Sequence, residues 1–93
     1  MVNQYNTNWQ KKGIWVDYWS NGQLFYKGEY KQGNEHGLWE YYFPNGKIWR
    51  KGEYKEGWQH GIWEDYLSNG KLHYKGEFRN KKPIGLWYEK KYN

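Results

Sequence analysis

The sequence contains no cysteine and no alanine, and only two of its 93 residues are proline. Without cysteine the chain can form neither a disulfide nor a thiolate zinc site, and its redox compartment stays open. Without alanine, long helices are not expected. Leu, Ile and Val together number eleven, which is too few for a conventional two-layer aliphatic core.

Long apolar runs are also missing. The chain starts Met1-Val2-Asn3-Gln4, and no apolar stretch follows that would suit a signal peptide or a membrane span. We therefore expect a cytoplasmic protein, in the host-cell cytoplasm if a phage encodes it. The formal net charge of +5 favours acidic partners in general, but it is too small and too evenly spread to indicate nucleic acid.

Aromatic residues, in contrast, are abundant. Trp, Tyr and Phe supply 22 of the 93 residues, so a few large side chains carry most of the apolar area. The mean hydropathy of −1.39 would by itself suggest disorder, and the aromatic content argues against that interpretation.

The aromatic residues recur in an internal repeat. A Gly-Ile-Trp or Gly-Leu-Trp triplet starts at residues 13, 37, 61 and 85, each 24 residues after the last. Each of the three full copies continues with an Asn-Gly pair and then a Lys-Gly-Glu-aromatic run. A period of this length indicates a repeat architecture rather than a globule with a single site.

The Asn-Gly pairs predict β-hairpins, because both residues accept the positive φ of a type I′ turn. A two-residue turn at Asn21-Gly22 places Trp19 opposite Leu24 and Trp15 opposite Gly28. A second two-residue turn at Gly33-Asn34 places Gly28 opposite Trp39, with Gly57-Trp58 and Lys81-Lys82 at the equivalent positions. Ten strand residues and two turn residues then fill each half of the 24-residue period.

This register predicts rows in which large rings alternate with glycine. A glycine leaves space on the pleated surface, and a neighbouring ring can lie over its backbone. The opposite face is expected to carry a solvated ladder of Lys and Glu, together with one aromatic row near the Asn-Gly turns. The first ring row reads Trp15, Gly28, Trp39, Gly52, Trp63, Gly76, Trp87. The aromatic row reads Tyr18, Phe25, Tyr42, Trp49, Tyr66, His73.

The expected fold is all-β: a single-layer, twisted antiparallel meander of about seven strands without helices. We interpret residues 1–93 as one repeat domain, with a capping strand in 1–12, repeats in 13–36, 37–60 and 61–84, and a half-repeat in 85–93. Tyr5 lies one place away from the Tyr30 position. This indicates either a one-residue insertion near Lys11-Lys12 or a capping strand with its own register.

The pattern Gly-x-Trp-x-x-Tyr, Asn-Gly, Lys-Gly-Glu-Tyr resembles the MORN repeat over about residues 13–92. It is most similar to the variant of bacterial and phage proteins that are often labelled YwqK-type antitoxins. The resemblance implies an elongated single-layer sheet. It also implies scaffolding, protein–protein contact or binding to acidic phospholipids, and it carries over no catalytic residue.

The residues themselves do not indicate an enzyme, a cofactor site or a metal site. His36 and His60 are equivalents two strands apart, roughly 9.6 Å, which is too far to share a metal at about 2.1 Å per ligand bond. Asp17 and Asp65 are roughly 19 Å apart by the same spacing, beyond paired-carboxylate chemistry. No nucleophile triad or phosphate-binding loop is present.

We therefore predict a non-catalytic protein-binding module, antitoxin-like or a phage-encoded inhibitor of a partner protein. Aromatic residues and Arg dominate interface energies, so the best contact candidates are those that packing needs least. On the ring-rich face these are Tyr26, Tyr41, Arg50 and Tyr74. On the other face they are Phe25, Tyr42, Trp49 and Tyr66, and Trp58 is added because a bulky ring in a turn has no local reason to be there.

Basic residues collect along the edge that carries the inter-copy turns, and the residues predicted to contact an anionic partner there are Lys31, Lys55, Arg79, Lys81 and Lys82. This edge suits an acidic protein or, as the alternative function, peripheral binding to anionic phospholipid. Solubility alone would also explain it. Single-stranded nucleic acid stacking on the rings is a weaker alternative, because Glu29, Glu53 and Glu77 interrupt the basic residues. Self-association is compatible with each reading.

Overall fold

A computed structural model describes the backbone of residues 1–90 and the side chains of residues 1–85, 89 and 90. These residues form eight antiparallel strands in one sheet, each strand paired with its neighbours in chain order. The molecule measures 51 × 37 × 13 Å, so it is one layer thick. The strands are β1 (Gln4–Tyr5), β2 (Lys11–Tyr18), β3 (Leu24–Lys31), β4 (Asn34–Tyr42), β5 (Ile48–Lys55), β6 (Trp58–Tyr66), β7 (Leu72–Arg79) and β8 (Lys82–Glu89).

The predicted all-β, single-layer meander is confirmed, with eight strands rather than about seven. The additional strand is β1, a two-residue cap that pairs Gln4 with Lys12 and Tyr5 with Lys11. The Asn3 side chain extends this cap, because its Oδ1 accepts from the Val16 N–H and its Nδ2 donates to the Val16 carbonyl.

Tyr5 pairs with Lys11 as Tyr30 pairs with the equivalent Glu35, and the Trp15 indole donates to the Gln4 carbonyl as that of Trp39 donates to the Glu29 carbonyl. The cap thus keeps the register of the repeats. Of the two alternatives the one-residue insertion is correct, although the extra residue lies in the loop of residues 7–9 rather than near Lys11-Lys12.

The Asn-Gly turns differ from the prediction. The Gly22 N–H donates to the Trp19 carbonyl, and the Trp19 N–H donates to the Gln23 carbonyl. Gly22 has a φ of +87°, whereas Asn21 does not have a positive φ. Residues 20–22 thus form a three-residue loop, a type I turn followed by a left-handed glycine. The predicted type I′ turn at Asn21-Gly22 and its Trp19–Leu24 pair are wrong.

The third residue of this loop is offset by a β-bulge in the same hairpin, so the strand register further from the loop is unchanged. Asp17 pairs with Tyr26, but Tyr18 pairs with Leu24, so Phe25 is an additional bulged residue. The same irregularity makes Trp49 the bulged residue of β5. The predicted aromatic row on the opposite face is therefore wrong for both residues. The Phe25 ring lies 4.4 Å from the Trp19 ring, and the Trp49 ring lies 6.1 Å from the Tyr41 ring, among the side chains of the ring-rich face.

The inter-copy turns lie one residue earlier than predicted. Lys31 pairs with Asn34, so the turn is Gln32-Gly33, and both of its central residues have positive φ. The equivalent turns are Glu56-Gly57 and Asn80-Lys81. Type I′ geometry therefore occurs here rather than at Asn-Gly. Trp58 consequently lies outside the turn, as the first residue of β6, which corrects its predicted position.

A second bulge interrupts the pairing between repeats. Lys27 pairs with Glu40 and Glu29 with His36, so three residues of β4 oppose Gly28 alone. Gly37 in this bulge has a φ of +72°, which explains the glycine that starts each repeat triplet. The predicted direct pair Gly28–Trp39 does not form, and Tyr30 pairs with Glu35.

The core nevertheless has the predicted composition. A Cβ built on Gly28 would overlap the Trp39 ring, and one built on Gly52 would overlap the Trp63 ring. Both indoles are buried to 2% exposure. Each ring thus covers the glycine of the preceding strand. The predictions for the side chain of Trp87 and for residues 91–93 lie outside the described residues.

Candidate functional site

The ring-rich face carries a continuous row of tyrosine and tryptophan rings in contact with one another. Its neighbouring rings meet edge to face: Trp15 and Tyr30 at 5.8 Å between centroids, Tyr30 and Trp39 at 5.1 Å, Trp39 and Tyr54 at 5.8 Å, and Tyr54 and Trp63 at 5.0 Å. This geometry suits the quadrupoles of the rings. The indole N–H groups of Trp15, Trp39 and Trp63 also donate to backbone carbonyls, those of Gln4, Glu29 and Glu53. The face therefore serves mainly as the core.

Tyr26 and Tyr41, two of the predicted contact residues, belong to this packing. The Tyr26 ring stacks on Trp39 at 5.6 Å, and the Tyr41 hydroxyl lies 3.4 Å from that of Tyr54. Burial, and then the hydrogen bond with Tyr54, raises the pKa of Tyr41. Burial and the charge of Asp17 raise the pKa of Tyr26. Both phenols are thus held neutral and partly covered, which leaves little free surface for a partner.

Arg50 and Tyr74 lie together on the same face. The Arg50 guanidinium forms a bidentate pair with Asp65, with distances of 3.0 and 3.2 Å to the two carboxylate oxygens. Asp65 pairs with Tyr74 on the next strand, and all three line a shallow groove of about 290 Å³ with Trp63 and Phe78. The structure therefore brings these two predicted residues together, but Arg50 is already engaged within the chain.

Tyr42 and Tyr66 lie on the opposite face, which we name the charged face. Lysines and glutamates alternate there across the strands: Glu64 lies 4.0 Å from Lys51 and 3.9 Å from Lys75. Lys51 also approaches the Tyr66 ring, at 6.0 Å. Burial, followed by the charge and hydrogen bond of Glu40, raises the pKa of Tyr42. The predicted Lys/Glu ladder is confirmed on this face.

The charged face also exposes aliphatic side chains that the sequence analysis did not select. Leu38 is 55% exposed and Ile62 is 49% exposed. The two line a groove of about 460 Å³ together with Glu53 and Lys51. A signal for them existed in the sequence, because the residue between Gly and Trp is Ile or Leu in every copy. An apolar residue repeated on a solvated face has no packing role that would explain it.

The basic edge is located as predicted. Lys31, Lys55 and Arg79 are the last residues of β3, β5 and β7, Lys81 lies in the final turn, and Lys82 begins β8. All five are exposed. Two grooves lie along this edge, one beside Lys31 and His36 and the other beside Trp58 and His60. In the second groove the Lys81 Nζ lies 4.9 Å from the centre of the Trp58 ring.

Within the described part of the chain, no group of three His, Asp or Glu side chains is arranged to hold a metal ion. No helix that could cross a membrane occurs in residues 1–90. Acidic and basic side chains that lie close to one another form ion pairs on the sheet surface, such as Arg50–Asp65 and Lys75–Glu64.

Comparison with known proteins identifies the repeat. Searches among curated proteins and among solved structures find no significant match. Three consecutive segments, residues 11–32, 35–56 and 59–80, match the family described as the MORN repeat variant. Together they cover most of the chain. The protein therefore belongs to the MORN repeat variant family, whose members are generally binding modules for proteins or membranes rather than catalysts.

Proposed function

We propose that this chain is a protein-binding module whose contact surface is centred on the groove between Leu38 and Ile62. The observation that carries the proposal is the exposure of both side chains on a face that is otherwise charged. Exposed apolar groups that line a groove and are rimmed by charges are typical of protein interaction sites.

The different roles of the two faces, one packed and one exposed, support this choice of surface. The aromatic rings that sequence reasoning favoured as contacts are largely used in packing, as the stacked pair Tyr26–Trp39 shows. The charged face instead leaves aliphatic side chains uncovered. Because equivalent positions lie two strands apart, Leu38 and Ile62 are separated by roughly 9.6 Å. Glu53 lies opposite Leu38 on the strand between them, so an apolar side chain of a partner would rest on the two aliphatic groups beside this carboxylate.

For this module we propose an antitoxin-like or inhibitory role in the cytoplasm. Binding a partner through a rigid sheet would block that partner's surface without chemistry by this chain. The genomic neighbourhood gives a first test, since an adjacent toxin gene or a phage counter-defence cluster would indicate which protein to examine. The activity of that protein, measured with and without this chain, then tests inhibition.

Affinity capture tests the proposed surface. Lysate of the native host is passed over the wild-type chain, over a Leu38→Ser/Ile62→Ser variant and over a Trp9→Ser control. Trp9 is also strongly exposed but lies in the N-terminal loop, before β2. We expect a protein that wild type and control retain and the double variant loses. Equal retention by all three, or retention of no protein by wild type, would count against the proposal.

A second candidate function is peripheral binding to anionic phospholipid through the basic edge. The exposed row Lys31, Lys55, Arg79, Lys81 and Lys82 favours it, because clustered basic residues are attracted to anionic membranes. Sedimentation with vesicles that contain phosphatidylserine, compared with neutral vesicles, tests it. Binding that persists in high salt would argue against an electrostatic mechanism.

A further inference from the structure

The two grooves along the basic edge have the same construction but different residues. They are one repeat apart, since His36 lines the first and His60 the second. The first has a volume of about 450 Å³ and the second of about 190 Å³. Because the repeat makes the backbones equivalent, the differences between the grooves arise from their side chains.

Five positions distinguish the two grooves. Gln32 of the first groove corresponds to Glu56 of the second, Asn34 to Trp58, Glu35 to Gln59 and Glu56 to Asn80, and the turn glycine Gly57 corresponds to Lys81. The lining of the first groove contains two lysines and two glutamates. The lining of the second contains two lysines, Lys55 and Lys81, against one glutamate, Glu56. The second groove is therefore the more positive one.

Two of these substitutions are coupled in space. In the first repeat the Asn34 side chain lies against Gly57, where an added Cβ would be 3.3 Å from Asn34 Oδ1. In the second repeat the indole of Trp58 lies against the Lys81 ammonium, 4.9 Å from the ring centre. The pair Asn–Gly has thus been replaced by a cation–π pair.

Lys81 also adopts a backbone conformation that is unfavourable for lysine. Its φ is +69°, whereas the equivalent turn residues Gly33 and Gly57 have +83°. Left-handed backbone is strained for residues that carry a Cβ, and such strain concentrates at functional sites. The chain therefore retains a lysine where glycine would fold more easily.

We propose that the second groove, which we name the Trp58 groove, binds a carboxylate side chain from an acidic segment of a protein partner. The proposal deepens the proposed protein binding and rests on it. The ammonium groups of Lys55 and Lys81 supply positive charge, and the side-chain amides of Gln59 and Asn80 supply hydrogen-bond donors. The face of Trp58, which is 51% exposed, covers the aliphatic part of the ligand.

Size and charge favour a carboxylate over other anions. A volume of about 190 Å³ admits a single side chain and is below the range of about 300–1,000 Å³ that is typical of small-molecule pockets. Glu56 keeps one negative charge in the lining. Lys55, Lys81 and Glu56 together carry a net charge of +1, which a single carboxylate neutralises, whereas a doubly charged phosphate would leave an excess negative charge.

The Trp58 groove is continuous with the surface proposed above. His60 lines both the Trp58 groove and the groove between Leu38 and Ile62. One partner segment can therefore place an apolar side chain on the charged face and an acidic side chain at the basic edge. This arrangement reconciles an apolar contact surface with the predicted preference for an acidic partner.

Peptide titration monitored by NMR tests the proposal. The full ¹⁵N-labelled chain is titrated with a blocked peptide that contains two glutamates between glycines, and with the same peptide that contains glutamines. We expect the signals of the Trp58 indole N–H and the Asn80 amide to shift when the glutamate peptide is added. The affinity for the glutamine peptide should be lower by about tenfold or more, and the affinity for the glutamate peptide should fall as salt is added.

A variant with the residues of the first groove gives the sharpest comparison. Trp58→Asn with Lys81→Gly is expected to weaken glutamate-peptide binding about tenfold or more. This variant restores a turn glycine, so it is not expected to unfold, and its thermal transition verifies that. Asn34→Ala in the first groove serves as the matched control and should leave the affinity unchanged.

Three results would overturn the proposal. The variant could bind the glutamate peptide as tightly as wild type, the signals of the first groove beside His36 could shift as much as those of the Trp58 groove, or inorganic phosphate at the peptide's concentration could displace the peptide. Failure of the proposed function is distinguishable from these. If the Leu38→Ser/Ile62→Ser variant still captures the host partner while the Trp58→Asn/Lys81→Gly variant loses it, the Trp58 groove stands and the charged-face surface does not.

Discussion

The indole of Trp39 lies over the backbone of Gly28 on the preceding strand, so closely that no side chain could be added to this glycine. The indole N–H donates to the carbonyl of Glu29, the next residue, at 3.1 Å. Trp63 repeats both contacts with Gly52 and Glu53. One side chain therefore excludes water from a strand and satisfies a backbone acceptor, which allows a single layer to have a core.

Substitution of Gly28 by alanine should be strongly destabilising. The new methyl group would overlap the Trp39 ring, which is buried and surrounded by Tyr26, Tyr30 and Tyr54. Overpacking of this kind costs about 3 kcal/mol. We expect a loss of that size in the free energy of unfolding, measured by urea denaturation.

Gly13→Ala is the control for Gly28→Ala. Gly13 has a φ of +68° and open space around its Cβ position, so alanine there meets backbone strain of about 1–2 kcal/mol without a collision. A smaller side chain at residue 39, as in Trp39→Val, should make Gly28→Ala nearly neutral in a double-mutant cycle. Additive effects in that cycle would show that the ring does not lie on Gly28.

Asn45→Asp should test how consecutive Asn-Gly loops are linked. The Asn45 Oδ1 accepts from the Lys47 N–H within its own loop, and its Nδ2 donates to the Ser68 carbonyl of the next repeat. Aspartate keeps the acceptor and loses the donor. We expect a loss of about 1 kcal/mol in the free energy of unfolding, measured by chemical denaturation.

Asn45→Ala removes both hydrogen bonds and should cost about twice as much. Asn21 forms the equivalent link, since its Nδ2 donates to the Pro44 carbonyl, so Asn21→Asp should behave like Asn45→Asp. An aspartate variant as stable as wild type would mean that the loops do not support one another.

The stability of the sheet should fall in alkaline solution. Burial raises the pKa of Tyr41 above its ordinary value of 10.0, and Tyr26 and Tyr30 shift in the same direction. A tyrosine whose pKa is raised by folding contributes stability that is complete below pH 10 and is lost as the pH rises above 10, because the unfolded chain ionises first. Denaturation at a series of pH values measures this decline.

The Tyr41→Phe variant separates Tyr41 from the other titrating groups. Phenylalanine cannot ionise, so the decline in stability above pH 10 should be less steep than in wild type. Tyr18→Phe is the matched control, since Tyr18 is an exposed tyrosine, and its decline should equal that of wild type. Parallel declines for wild type and Tyr41→Phe would show that Tyr41 titrates alike in both states.

Leu38→Ser and Ile62→Ser should hardly change stability. Both side chains are about half exposed, and surface substitutions usually stay within about 0.5 kcal/mol. Trp63→Leu should instead cost about 3 kcal/mol, because it empties a buried site. Thermal unfolding of the three variants gives the comparison, and a large loss for Leu38→Ser would assign that residue to packing instead of binding.

Much of the fold could be predicted from the 24-residue period. The repeat fixes the antiparallel meander, and the pair of Trp15 with Gly28 follows from counting away from the Asn-Gly loop. The loop conformation could not be derived in the same way. A three-residue loop followed by a bulge at Phe25 consumes as many residues as a two-residue turn without one, so the period does not distinguish them.

The candidate site was less predictable for a related reason. Bulges turned Phe25 and Trp49 toward the ring-rich face, and packing covered much of Tyr41. The register places glutamates opposite Leu38 and Ile62, so the sequence pattern alone assigns both residues to a solvated face. The single layer was predictable, but how far it leaves these two side chains uncovered is visible only in the three-dimensional arrangement.

The most direct measurement is paramagnetic relaxation by a soluble, uncharged probe, recorded on the methyl groups of Leu38 and Ile62 and on the indole N–H groups of Trp39 and Trp63. If one face is the core and the other is free for a partner, the methyl signals broaden strongly and both indole signals remain sharp. Sharp methyl signals together with broadened indole signals would contradict that assignment of the two faces.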